Sequence, residues 1–194
     1  VAVNLGKGQK ISLAKSGGGG GGLSRVAMGL GWDAVKKKGF FGRMKSADID
    51  LDASCLLFDA GRNLVDQVWF SQLRSKDGSV LHTGDNLTGA GEGDDEVIQV
   101  DLTTVPPQVQ TLVFVVNSFT GQDFSQIENA FCRLVDSTTG TEVARYELSG
   151  SGTHNAQVMA KLTREGDSWA MTALGERAQG RTFRDLLPAV TPHL

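Results

Sequence analysis

At 194 residues, 40% hydrophobic and 21% charged, the chain has the length and composition of one globular domain able to bury its own core, which excludes a disordered tail or a fibrous protein. A net charge of −3 argues against nucleic acid as a partner, and the longest aliphatic or aromatic run, Leu112 to Val116, falls far short of the roughly 20 residues that span a bilayer. Val1 to Lys15 holds no apolar signal-peptide core, and Cys55 and Cys132 sit in apolar runs without CxxC spacing or a nearby histidine, so a reducing, cytoplasmic setting is expected.

In chain order, Gln9 to Leu13 and Arg25 to Leu30 read as strands on either side of the glycine run Gly17 to Gly22, which predicts a hairpin with a flexible tip. Asp48 to Phe58 and Leu64 to Leu73 flank the turn residues Asp59-Ala60-Gly61-Arg62-Asn63, and Ser79 to Thr83 follows Asp77-Gly78. Val97 to Leu102, Gln110 to Ser118, Ile127 to Asp136, Glu142 to Leu148, Ala156 to Arg164 and Ser168 to Ala173 continue the series. Only Val105 to Val109 and Thr182 to Leu187 read as helical. About ten short strands without a long helix predict an all-β fold, a β-sandwich, as a single domain over 1–194.

The charge is unevenly placed. Residues 84–96 carry five acids and no base, and residues 48–52 carry three more, so the other 176 positions are net positive. In a strand, Asp48, Asp50 and Asp52 would share one face at roughly 6.6–7 Å spacing, while Ile49 and Leu51 enter the core. Asp85, Asn86, Thr88, Glu92, Asp94, Asp95 and Glu96 add side-chain oxygens, and Gly84, Gly89, Gly91 and Gly93 let the backbone turn sharply. An all-oxygen donor set points to a hard cation, and a flexible loop with many irregular donors favours calcium over magnesium, with donors enough for about two ions. Leu87 rules out an EF-hand, and the alternative is a solvated acidic loop that serves solubility.

The segments GLGWD (Gly29–Asp33), DIDLDAS (Asp48–Ser54), HTGDNLTGAGEGDDE (His82–Glu96), ENAFCRLVD (Glu128–Asp136) and ARYEL (Ala144–Leu148) resemble the TerD family of tellurium-resistance and stress proteins. VKKKGF (Val35–Phe40) and NSFTGQ (Asn117–Gln122) are most similar to its TerZ branch, and the resemblance runs from Val3 to Leu174. It implies a calcium-binding β-sandwich with its acidic loops at one end, acting in a bacterial cytoplasmic system of resistance to tellurite, phage and colicins. Its implied ligands fall at Asp48, Asp50, Asp85, Asn86, Asp94, Asp95 and Glu96, extended by Asp33, Asp52, Thr88 and Glu92.

Lys36, Lys37, Lys38, Arg43 and Lys45, interleaved with Phe40, Phe41 and Met44, suit an anionic membrane surface, nucleic acid or an acidic partner, or form a solvated loop. Asn129 and Arg133 alternate with apolar neighbours and either brace the metal loops from behind or pair at a sheet edge. No nucleophile motif surrounds His82, His154 or His193, each of which reads as a surface or hydrogen-bonded side chain, and no enzyme is expected. Three functions follow in order: a calcium-ordered module that recruits proteins of the resistance system, a calcium-dependent membrane-docking module, and a metal-dependent phosphoesterase.

Overall fold

Short turn signals between apolar runs produce two stacked sheets. The computed structural model describes residues 3–14, 23–34, 36–38, 44–46, 50–84, 94–147 and 152–194. Among these the strands are β1 (Val3–Asn4), β2 (Lys10–Ser12), β3 (Arg25–Ala34), β4 (Lys36–Lys38), β5 (Met44–Ser46), β6 (Leu51–Asp59), β7 (Leu64–Val68), β8 (Val80–His82), β9 (Glu96–Asp101), β10 (Val109–Ser118), β11 (Ile127–Asp136), β12 (Thr141–Glu147), β13 (Ala156–Glu165) and β14 (Ser168–Ala178). One helix, α1 (Phe183–Val190), follows. The first sheet has the order β1-β12-β11-β3-β9-β8, the second β2-β14-β13-β10-β6-β7, and β4 with β5 forms a separate ribbon. The predicted all-β sandwich is the fold, with more and longer strands than the sequence suggests. Among the described residues no helix is long and apolar enough to cross a membrane.

The second sheet is buried on both faces, which explains why its central strands read as continuous apolar runs. From β6, Leu51, Ala53, Cys55 and Leu57 enter the core between the sheets, while Leu56 and Phe58 face the other way, into a second cluster closed by Phe183, Leu186 and Val190 of α1. β10 divides likewise, with Leu112, Phe114 and Val116 inward and Val113 and Val115 toward the helix. Burying each large apolar side chain of α1 contributes about 1.5–3 kcal/mol. The carboxylate of Asp185 accepts the N–H groups of Arg181 and Thr182 at 2.9 and 3.0 Å and so fixes the helix start.

Four expectations are corrected. Gln9–Leu13 and Arg25–Leu30 are not a hairpin: β2 pairs with β14 in the second sheet, and β3 lies between β11 and β9 in the first. The chain changes sheets there, with Leu23 N–H donating to the Leu13 carbonyl at 2.8 Å, and the glycine run itself lies outside the described residues. Val105–Val109 is a turn, because Pro106 and Pro107 bring no N–H, and Val109 opens β10. The strand expected over Leu64–Leu73 ends at Val68, where Trp69 and Gln72 exchange backbone hydrogen bonds of 3.0 and 2.9 Å across a tight turn. The strand expected from Asp48 begins at Leu51, so Asp50 precedes it; Asp48 lies outside the described residues.

Candidate functional site

Strand register brings the acidic segments to one end of the sandwich. The last residues of β3 and β8 and the first residues of β6, β9 and β11 all meet there, since Leu51 faces Ser118, Glu96 faces Leu30, His82 faces Ile98 and Ile127 faces Ala34. The loop that joins β8 to β9 emerges between them. Its residues Asp85, Asn86, Thr88 and Glu92 lie outside the described residues, as does Asp48. Asp33 stands opposite Glu128 in the β3–β11 pairing, and Asn129 sits in the irregular stretch of β11 before Phe131. Among the described residues no three His, Cys, Asp or Glu side chains converge on a common point.

What the described residues do show is how the acidic loop is rooted. Period-two alternation places His82 inward after Val80, and Glu96 inward before Ile98 and Val100, so both side chains are fully buried. The two meet with Nε2 of His82 3.2 Å from Oε2 of Glu96. The same oxygen accepts the N–H of Ala53 at 2.7 Å, which ties the first sheet to β6 of the second. Gly84 N–H donates to Nδ1 of His82 at 3.2 Å. Because Nδ1 is an acceptor, the imidazole proton sits on Nε2 and points at the Glu96 carboxylate. Gly84 has φ +137°, a conformation that L side chains rarely adopt, which accounts for glycine at the position whose N–H meets the histidine.

Next to this root, Asp95 N–H donates to the Leu30 carbonyl at 2.7 Å, and its Oδ2 accepts the Trp32 N–H at 2.9 Å. Asp94 points to the outer face of the first sheet. Arg133 grips it in a fork, Nε to Oδ1 at 2.8 Å and Nη2 to Oδ2 at 3.0 Å. Nη1 of Arg133 reaches Glu142 at 3.2 Å, Glu142 accepts Nε of Arg145 at 3.0 Å, and the Arg145 guanidinium lies 4.2 Å from the Phe131 ring centre. Hydrogen bonds from Arg145 and then Arg133 hold the Glu142 carboxyl below its ordinary range, and the bond to Asp94 raises Arg133. Gly29 faces Arg133 across the strand pair, and a Cβ there would fall 2.3 Å from Cγ of Asp94. The first glycine of GLGWD is therefore the space in which the Asp94–Arg133 pair lies.

On the opposite flank Asp52 is buried on β6, where Nδ2 of Asn117 donates to it at 3.3 Å and to the Arg181 carbonyl at 2.7 Å. Asp50 accepts Phe119 N–H on its backbone carbonyl at 3.1 Å. Arg133 does carry an ion pair, but β11 lies inside the first sheet between β12 and β3 and not at its edge, and the pair braces Asp94 at the root of the acidic loop. Glu142, Arg145, Asn117 and the rooting role of His82 were not singled out from sequence, although inward alternation from Val80 marks the histidine. Both cysteines are free and buried; burial pushes the Cys132 thiol up to about 12 and that of Cys55 higher still, so neither supplies a thiolate at neutral pH.

The TerD domain model matches residues 1–188. The chain belongs to the TerD family. Among family members it is 49% identical over 186 residues to the tellurium resistance protein TerZ of Serratia marcescens, covering 95% of this chain and 94% of that one. It is 39% identical over 198 residues to the stress response protein SCP2 of Bacillus subtilis (strain 168), covering 96% and 98%. The TerD fold appears in the crystal structure of a homologue of telluride resistance protein (TerD) from Streptomyces coelicolor A3(2), with a TM-score of 0.68 at 20% identity, covering 82% of this chain and 92% of that one. The TerD assignment places this chain in the tellurium-resistance and stress-response family.

Proposed function

We propose that this TerD-family protein is a calcium-ordered module whose loops, once set by the ion, present a surface to other proteins of the tellurite-resistance system, and that it is not itself an enzyme. The observation that carries this reading is the rooted acidic loop: both of its ends are fastened to the sandwich, through Gly84 on His82 and through Asp94, Asp95 and Glu96 on Arg133, Trp32 and Ala53. Between these anchors the sequence of residues 85–93 carries Asp85 and Glu92 and no Lys or Arg. Asp85, Asn86, Thr88 and Glu92, with Asp33, Asp48, Asp50, Asp52 and Asp95, offer the hard oxygens calcium takes. Asp94 and Glu96 add charge while they fasten the loop. Calcium supplies the positive charge that lets these acids approach one another.

Calorimetric titration of the full chain is expected to show about two calcium ions bound with affinity in the micromolar range and magnesium bound far more weakly. Chelation should lower the melting temperature and added calcium should restore it. Equal affinity for the two metals, or a melting temperature indifferent to chelator, would overturn the reading. A membrane-docking role draws on a separate observation, that the β4–β5 ribbon sets Lys37 opposite Lys45 just beyond β3. Calcium-dependent co-sedimentation with phosphatidylserine vesicles tests it, and sedimentation only with neutral vesicles would count against it.

A further inference from the structure

At the end of the sandwich remote from the acidic loop, the first sheet holds a cavity of about 210 Å³ lined by Arg25, Arg74, Ser79, Gln99, Asp101 and Ser137 among others. Its walls are tied together by backbone bonds: Asp101 N–H donates to the Ser79 carbonyl at 2.8 Å and Ser137 N–H to the Arg25 carbonyl at 3.0 Å. Arg25 uses Nε to pair with Asp101 at 3.1 Å, so the one carboxylate in the wall is already compensated, and Thr103 also donates to it. Arg74 makes no ion pair among the described residues, and its Nη1 lies over Gly78, 3.9 Å from where a Cβ would stand. Ser79 is buried, and its hydroxyl has no hydrogen-bond partner among the described residues. Two guanidinium groups and one carboxylate line the cavity, with Asp77 behind its wall accepting the Ser79 N–H at 2.7 Å, and a buried hydroxyl without a partner is costly.

We propose that this cavity is a binding site for a small oxyanion of the phosphate type, held by the guanidinium of Arg74 and the terminal nitrogens of Arg25, with Gln99 adding a hydrogen bond from the wall. Guanidinium groups match the spacing of paired oxyanion oxygens, and a cavity open on one side accepts either a free ion or the end of a phosphorylated small molecule. The site lies on other residues than the acidic loop, so it stands or falls independently of calcium.

The test is a titration of the full chain with inorganic phosphate in the presence of chelator, followed by backbone amide shifts and by calorimetry. Saturable shifts confined to residues 78–81 and 99–101 are expected, and Arg74→Ala should weaken binding about tenfold or more by removing a charge-assisted pair. Arg74 is exposed, so the variant should melt as the parent does; Arg74→Lys, which keeps the charge, should retain part of the affinity and serves if the alanine variant is unstable. Tellurite added as competitor separates two sources of the same chemistry: displacement of phosphate supports a site open to the metalloid oxyanion, and undisturbed phosphate supports a phosphate-specific one. Failure of both ions to bind, shifts centred on residues 94–96, or unchanged affinity in both Arg74 variants would overturn the proposal.

Discussion

Asp94 and Glu96 leave the same loop two residues apart, yet the protein compensates them in opposite ways. Asp94 turns outward into a ladder of permanent charges, Arg133, Glu142 and Arg145, whose side chains are all partly open to water. Glu96 turns inward, where side-chain exposure is zero, and meets the His82 imidazole and the Ala53 backbone N–H. The ladder rests on Coulomb attraction that solvent and salt weaken, whereas the interior carboxylate rests on hydrogen bonds that have no substitute once the side chain is gone. The contrast gives four expected outcomes.

The largest effect belongs to the interior. Glu96→Ala leaves the Ala53 N–H and the His82 Nε2–H without an acceptor in the core, and should destabilise the fold by about 3–5 kcal/mol in urea unfolding. A loss below about 1 kcal/mol would mean that water replaces the carboxylate. Gly29→Ala comes next. Its Cβ occupies the place of the Asp94 carboxylate, which must abandon Arg133, and a cost of about 1–3 kcal/mol is expected. In an Asp94→Ala background the same change should be nearly silent, and additive losses would show that the glycine serves something other than this pair. Arg133→Met should cost about 1 kcal/mol or less at low salt and still less in 1 M NaCl, a dependence that Glu96→Ala should lack. Smallest is an effect of acid. The Glu142 carboxyl is depressed by its arginines, so the stability it contributes is complete above its ordinary range near about pH 4.3 and is lost as the pH falls through its lower folded value. In that window the unfolded chain binds more protons, stability rises with pH, and Glu142→Gln should flatten the acid limb of the stability curve.

Much of this arrangement is legible before folding. The strand over Ile127–Asp136 is found at those residues, and Arg133 forms an ion pair as its alternation with Phe131 and Val135 suggests, though inside the sheet and not at its edge. Inward placement of His82 and Glu96 follows from the same period-two rule applied to Val80 and Ile98, but a polar residue at a strand end reads as the start of a loop, which hid the pair. The sheet change between Leu13 and Leu23 is not legible locally, because alternation specifies which face a strand buries and says nothing about which strand lies beside it. β2 finds β14 some 160 residues away along the chain, a choice made by long-range packing. Pro188 hides the last turn of α1 for a simpler reason: its ring is read as a stop, while the helix persists to Val190 on the burial of Leu186 and Val190.

The bond from Ala53 to Glu96 also bears on the margin of the second sheet. β6 extends beyond β7, whose pairing begins only at Cys55, so Leu51–Ser54 has β10 on one side and no strand on the other among the described residues. A strand margin left unpaired in water is a template on which a second chain can build. These four residues are buried, and a carboxylate from the opposite sheet takes the amide at Ala53, so this margin is closed from within the molecule.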